Sequence, residues 1–157
     1  MAPALRAFRE VLKIADPSDD AYKQARSIVD SLAEVIRQTE GVDLDTYLEG
    51  HDGFNRAFGL MEKGDWTGAL AGFRACAAIV ERHAPTHGNM GLCLAQLGHK
   101  ADALAALDRA LEVDPTYGPA LQNRRKVEQM EAGQPLDTGF ESIDYARDCH
   151  MREHGEG

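Results

Sequence analysis

The sequence predicts an all-α protein built as a short stack of helix pairs. Three observations predict it. Apolar residues recur at helical spacing, as in Tyr22, Ala25, Ile28, Val29, Leu32, Val35 and Ile36. A second, longer period runs through the middle of the chain. Leu60, Gly64, Ala69, Leu70, Phe73, Cys76 and Ala77 are followed thirty-four residues later by Leu94, Gly98, Ala103, Leu104, Leu107, Ala110 and Leu111. Each position stays small, apolar or Gly. Helix punctuation sits at matching places: Gly64 and Gly98 suit the left-handed end of a first helix, and Pro115 stops a second one.

Each element follows in order. Residues 1–49 hold N-terminal helices. In the stretch 4–17, Ala4, Leu5, Phe8, Val11, Leu12 and Ile14 line up with Ala103, Leu104, Leu107, Ala110, Leu111 and Val113, so it reads as half a repeat. Ser18 or Asp19 then caps a long helix reaching about Thr39, which Gly41 ends. The stretch 42–50, VDLDTYLEG, is a loop or a short helix. Two full repeats cover 50–83 and 84–117. Ala69 and Ala103 are small so that paired helices approach closely, and Phe73 and Leu107 fill the space between repeats. Residues 118–132 read as one more first helix, with Arg124, Arg125, Glu128 and Glu131 as its polar outer face. The acidic tail 133–157 carries a short helix near 141–152. Its Leu136, Phe140, Ile143 and Tyr145 are too apolar for a pure solubility tail, so it is expected to pack back on the array or meet a partner.

These repeats resemble the tetratricopeptide repeat, a helix–turn–helix unit of the same period. The first copy contains GLMEKGDWTGALAGFRAC and the second GLCLAQLGHKADALAALDRALEVDP. Asp114, Pro115 and Tyr117 match the family's repeat end, whereas the first copy has Glu81 there and a late Pro85. The resemblance implies a short right-handed α-solenoid in which first helices line a concave groove. It implies a non-catalytic scaffold or adaptor that binds a peptide or protein segment there.

Asn55, Asn89 and Asn123 fall thirty-four residues apart, at one place in three consecutive first helices. An amide both donates and accepts, so a row of three suits the main chain of a bound peptide. Peptide-binding members of the family resemble this in their asparagine ladder; local hydrogen bonding is the alternative use. Phe54 and Phe58, four apart on one helix, offer an apolar anchor or a cover for the N-terminal helix. Lys126 is a groove-lining cation beside Arg124 and Arg125, and this run suits a carboxylate or a solvated cap face. The family's carboxylate clamp is incomplete, because Phe54 and Gly88 stand where cations belong.

Catalytic and metal motifs are missing. GxxxxGK[ST], GxGxxG and GxSxG are absent. His83 and His87 flank Pro85, which is expected to break a helix between them, and Cys149, His150, Glu153 and His154 lack a second ligand pair. Asp43 and Asp45 read as solvated or helix-capping. No enzyme activity, cofactor or metal is therefore expected. A net charge of −9 argues against duplex nucleic acid as partner, and no apolar run is long enough to span a bilayer. Three cysteines, Cys76, Cys93 and Cys149, make no disulfide framework, and no signal-peptide series precedes them. A cytoplasmic protein is expected. Three further readings stay open: a chaperone like those of type III secretion translocators, a regulatory piece of a larger enzyme, and a homodimer through the exposed array ends.

Overall fold

The computed structural model describes residues 1–136, with seven helices and no strand among them. The helices are α1 (Ala2–Ile14), α2 (Asp20–Glu40), α3 (Leu44–Glu62), α4 (Trp66–Ile79), α5 (Ala84–Gln96), α6 (Lys100–Val113) and α7 (Gly118–Gln129). The chain divides into two compact units, Met1–His51 and Asp52–Gly157, with the boundary inside α3. The expected tail helix near 141–152 lies outside the described residues, as do Phe140, Ile143, Tyr145 and Cys149.

In the first unit, α2 ends as its sequence requires. Gly41 takes φ +74°, and its N–H reaches back to the Arg37 carbonyl. The buried core joins Ala2 and Leu5 of α1, Ile36 of α2, and Tyr47 and Leu48 at the start of α3. The stretch 42–50 is neither a loop nor a short helix. From Leu44 it forms the opening turns of α3. Asp43 starts them: its carboxylate accepts the Thr46 N–H at 2.8 Å, a bond that holds its pKa below the usual value. Arg9 pairs with Asp45. The half-repeat alignment of α1 does not carry over into burial. Ala103 is fully buried, but its counterpart Ala4 is exposed, and Ile14 is 83% exposed. The physical reason is that α1 packs on α2 and the start of α3, whereas α6 packs on α5 and α7.

In the second unit the thirty-four-residue period becomes the same turn made twice. Gly64 and Gly98 have φ +79° and +80°. Asp65 N–H bonds the Leu60 carbonyl at 3.0 Å, and His99 N–H bonds the Leu94 carbonyl at 2.9 Å. This five-residue reach across a left-handed glycine satisfies carbonyls that a helix end leaves bare. Asp65 also caps α4 by accepting the Gly68 N–H at 2.9 Å. Pro85 does not break a helix. It opens α5, as Pro119 thirty-four residues on opens α7, because proline at a first helical turn gives up an N–H that has no partner there.

One continuous core joins α4, α5, α6 and α7 with the later part of α3. Ala69, Phe73, Ala103 and Leu107 are all fully buried. Two helical glycines show how close the packing is. A Cβ on Gly91 would lie 2.6 Å from the Leu107 side chain and 3.1 Å from the Ala103 carbonyl, whereas one on Gly59 would meet nothing within 4 Å. The same substitution should therefore have opposite signs. Gly59→Ala should stabilise by about 0.5–1 kcal/mol through helix propensity. Gly91→Ala should destabilise by about 1–3 kcal/mol through overpacking. Urea unfolding of both variants checks the contrast.

The stack does not stop at α7. Lys100 donates to the Glu128 and Met130 carbonyls at 2.7 and 2.8 Å. The chain then turns back at Gly133, whose N–H bonds the Gly98 carbonyl at 2.9 Å. Residues 133–136 thus run as a strap across the α5–α6 turn, and Leu136 is buried.

Candidate functional site

The first helices place their asparagines unevenly. Asn55 on α3 is exposed, while Asn89 on α5 and Asn123 on α7 are 0% and 2% exposed. The three amides do not form a uniformly open row. α5 is buried from Ala84 to Asn89 and again from Gly91 to Ala95, and α4, α6 and α7 all pack against it. The Nδ2 of Asn123 is buried without an acceptor. A buried amide hydrogen left unbonded is costly.

Helix geometry extends this face along each element. Residues seven apart return to one side of a helix. Gln96 therefore shares the face of Asn89, and Met130, the residue that ends α7, follows Asn123 in the same way. Gln96 is bonded by the strap, and Met130 lines a pocket with it. The Leu136 N–H donates to the Ala95 carbonyl at 3.2 Å. The Gln96 side-chain amide donates to the Leu136 carbonyl at 3.2 Å. One residue of non-helical main chain is thus held through both its donor and its acceptor. Beside it lies an open pocket of about 710 Å³, lined by Lys126, Gln129, Met130, Glu131, Gln134, Pro135 and Leu136. Lys126, named from sequence, is half-buried in this wall.

The aromatic pair has another role. Phe54 is 4% exposed, with its ring 5.3 Å from Phe73 and edge-on to His83 at 5.4 Å. Phe58 stacks on it at 6.3 Å and is half-buried. Phe54 is a member of the core rather than an open anchor, and Phe58 is the part of the pair nearer solvent. Spacing alone put both on one face. It did not show that Phe73 and His83 meet Phe54 there.

The histidines that flank Pro85 fix the turn before α5. His83 Nδ1 is 2.7 Å from the Thr86 hydroxyl, and His87 Nε2–H donates to the Glu81 carbonyl at 2.8 Å. Arg109 reaches the Glu81 carboxylate at 2.6 Å from α6. Arg124 also holds a structural position, bonding Asp108 of α6 at 2.6 Å and pairing with Glu128. It ties α7 to α6 instead of facing water alone. Among the described residues, no three His, Cys, Asp or Glu side chains converge. Cys149, His150, Glu153 and His154 lie outside them. Burial pushes the Cys93 thiol up to about 12 and raises that of Cys76, so neither is a ready nucleophile.

Residues 84–117, which hold α5, its turn and α6, match the family model of the tetratricopeptide repeat. The chain carries a tetratricopeptide repeat. No curated protein and no solved structure matches it. Among the described residues the fold is all-α and consistent with a helical repeat array of the tetratricopeptide type, and repeats of that family are in general non-catalytic protein–protein interaction modules. No helix among the described residues is long and apolar enough to cross a membrane. The strap 133–136 and the paired prolines Pro85 and Pro119 were the features that sequence reasoning missed. The prolines carried a signal, since they too are thirty-four residues apart.

Proposed function

We propose that the repeat protein is a cytoplasmic adaptor that holds a non-helical segment of a partner protein on the asparagine-bearing face of its first helices. The observation that carries this reading is the grip on Leu136. The α5 end of that face bonds both main-chain groups of one residue, through Ala95 and Gln96. It also buries that residue's side chain. A face able to do this for its own chain has the chemistry to do it for another. Asn55, Asn89 and Asn123 supply further amides along the first helices, Phe58 an apolar edge, and Lys126 a cation in the pocket wall. Main-chain bonds hold a segment without reading its sequence, so selectivity rests on the pocket and on charge.

A display selection of short peptides on the full chain gives a probe. The variant Asn55→Ala/Asn89→Ala/Asn123→Ala should then bind the selected peptide about tenfold to a hundredfold more weakly, at roughly 0.5–1 kcal/mol for each lost bond. Its circular dichroism should stay helical. Equal affinity in wild type and variant contradicts the reading.

A further inference from the structure

This inference rests on the reading above and names how that face is opened to a partner. Asn89 and Asn123 are sealed, because α4, α6 and α7 pack against α5. The Ala95 carbonyl and the Gln96 amide are in turn taken up by Leu136. A partner's main chain reaches these groups only if a covering element moves. α7 with the strap is the element suited to this. Of its side chains, α7 buries those of Ala120, Asn123 and Val127, whereas α5 is buried along most of its length. One of those three is the amide whose Nδ2 has no acceptor, so its enclosure opposes closure. The bonds that hold α7 down gather at its C-terminal end. Lys100 donates to the Glu128 and Met130 carbonyls, where a helix favours a cation. The Gly133 and Leu136 N–H groups donate to the Gly98 and Ala95 carbonyls. Midway along, Arg124 bonds Asp108 of α6. The opposite end is a pivot. There the Asp114 carboxylate accepts the Thr116 N–H at 3.0 Å and its hydroxyl at 2.7 Å, and Tyr117 is buried.

We propose that α7 and the strap form a latched lid. They swing off α5 together about the 114–117 turn, and a partner's segment binds the open form. Opening uncovers Asn123 and releases the Ala95 carbonyl and the Gln96 amide for a partner's main chain. Gln96 lies two helical turns beyond Asn89 on the same side of α5, so the gap opens along the asparagine face. Lys100 is the latch. Its bonds to α7 belong to the closed form, so it sets the open fraction without being part of the binding face. A partner's apparent affinity is reduced by that fraction.

The test is deuterium exchange by mass spectrometry on the full chain, without peptide. Residues 118–136 should exchange about tenfold or more faster than 84–113, as a unit that opens below the global unfolding free energy. Equal protection of the two segments would overturn the proposal. Lys100→Met keeps the aliphatic stem and removes both bonds to α7. It should speed exchange of 118–136 about fivefold to thirtyfold and leave 84–113 unchanged. While the open form is the minor one, the variant should bind the display-selected peptide more tightly by that same factor. Faster exchange with unchanged or weaker affinity would overturn the lid, as would unchanged exchange or equal acceleration of both segments. If Lys100→Met loses helix signal, Arg124→Gln replaces it, with about a twofold to fivefold change in both readouts. The two readings fail separately. Exchange that does not set 118–136 apart removes the lid alone. Peptide binding indifferent to the three asparagines, with exchange that still answers to Lys100, removes the interaction face.

Discussion

Phe73→Ala should lower the stability of the second unit by about 3–5 kcal/mol, most of what a domain of this kind has. Phe73 is fully buried, and its ring meets Phe54 at 5.3 Å. Removing it leaves a cavity between α3 and α4 helical residues that have no small neighbour able to fill it. Gly72 beside it already sits so close to Ala57 that a Cβ there would come within 2.7 Å. The backbones are therefore in near contact and cannot close further. In a stack each helix pair relies on its neighbours to cover its apolar face, so the loss should spread to α5. Urea unfolding followed by amide exchange reads the effect. Protection should fall across α4 and α5, and a change below about 1 kcal/mol would mean that the site collapses freely.

Asn123→Leu should move stability the other way. Its Nδ2 is buried and lacks an acceptor, and an unsatisfied buried donor costs about 1–3 kcal/mol. Leucine is of similar shape and carries no such donor, so the unfolding free energy from chemical denaturation should rise by about 1 kcal/mol or more. The same change removes one amide from the proposed binding face. Peptide affinity should fall about twofold to fivefold, at roughly 0.5–1 kcal/mol for one rung. Gain of stability with loss of binding is the pattern of a residue kept for function at structural cost. A stabilised variant that binds as well as wild type would assign Asn123 to the core alone.

Much of the fold was legible because it is local. Gly64 and Gly98 announce left-handed helix ends, and both turns form with matching bonds. Gly41 likewise stops α2. Small Ala69 and Ala103 predicted close helix pairs, and both are fully buried. What resisted reading depends on what lies across space. Pro85 looked like a breaker when measured against the end of the first repeat. Its role as a helix opener shows once Pro119 is set beside it. The start of α3 was obscured because Asp43 and Gly50 resemble a loop, although Asp43 is a cap. A half-repeat pattern in α1 fixed which residues are apolar but not which neighbours cover them, and Ala4 faces outward.

The candidate face was legible only in part, for the same reason. A thirty-four-residue period places Asn55, Asn89 and Asn123 on equivalent sides of their helices. It says nothing of what packs over each, and their burial differs from open to sealed. Phe54 shows the converse: a position expected to meet a ligand is taken by Phe73 and His83. The strap had no sequence signature beyond Gly133 and an isolated Leu136. Its partner, Gly98, is thirty-five residues away from Gly133 in sequence, and only the folded chain joins the Gly133 N–H to the Gly98 carbonyl.

The central claim is that the asparagine face of the first helices holds a partner's main chain. The most direct measurement is nitrogen-edited NMR of the side-chain amides during titration with the display-selected peptide. It is carried out on the full chain. The account predicts that the amides of Asn89, Asn123 and Gln96 shift together with one saturation curve. Saturable binding that leaves those three amides unmoved, with shifts confined to residues 1–51 or to the exposed sides of α4 and α6, would contradict it.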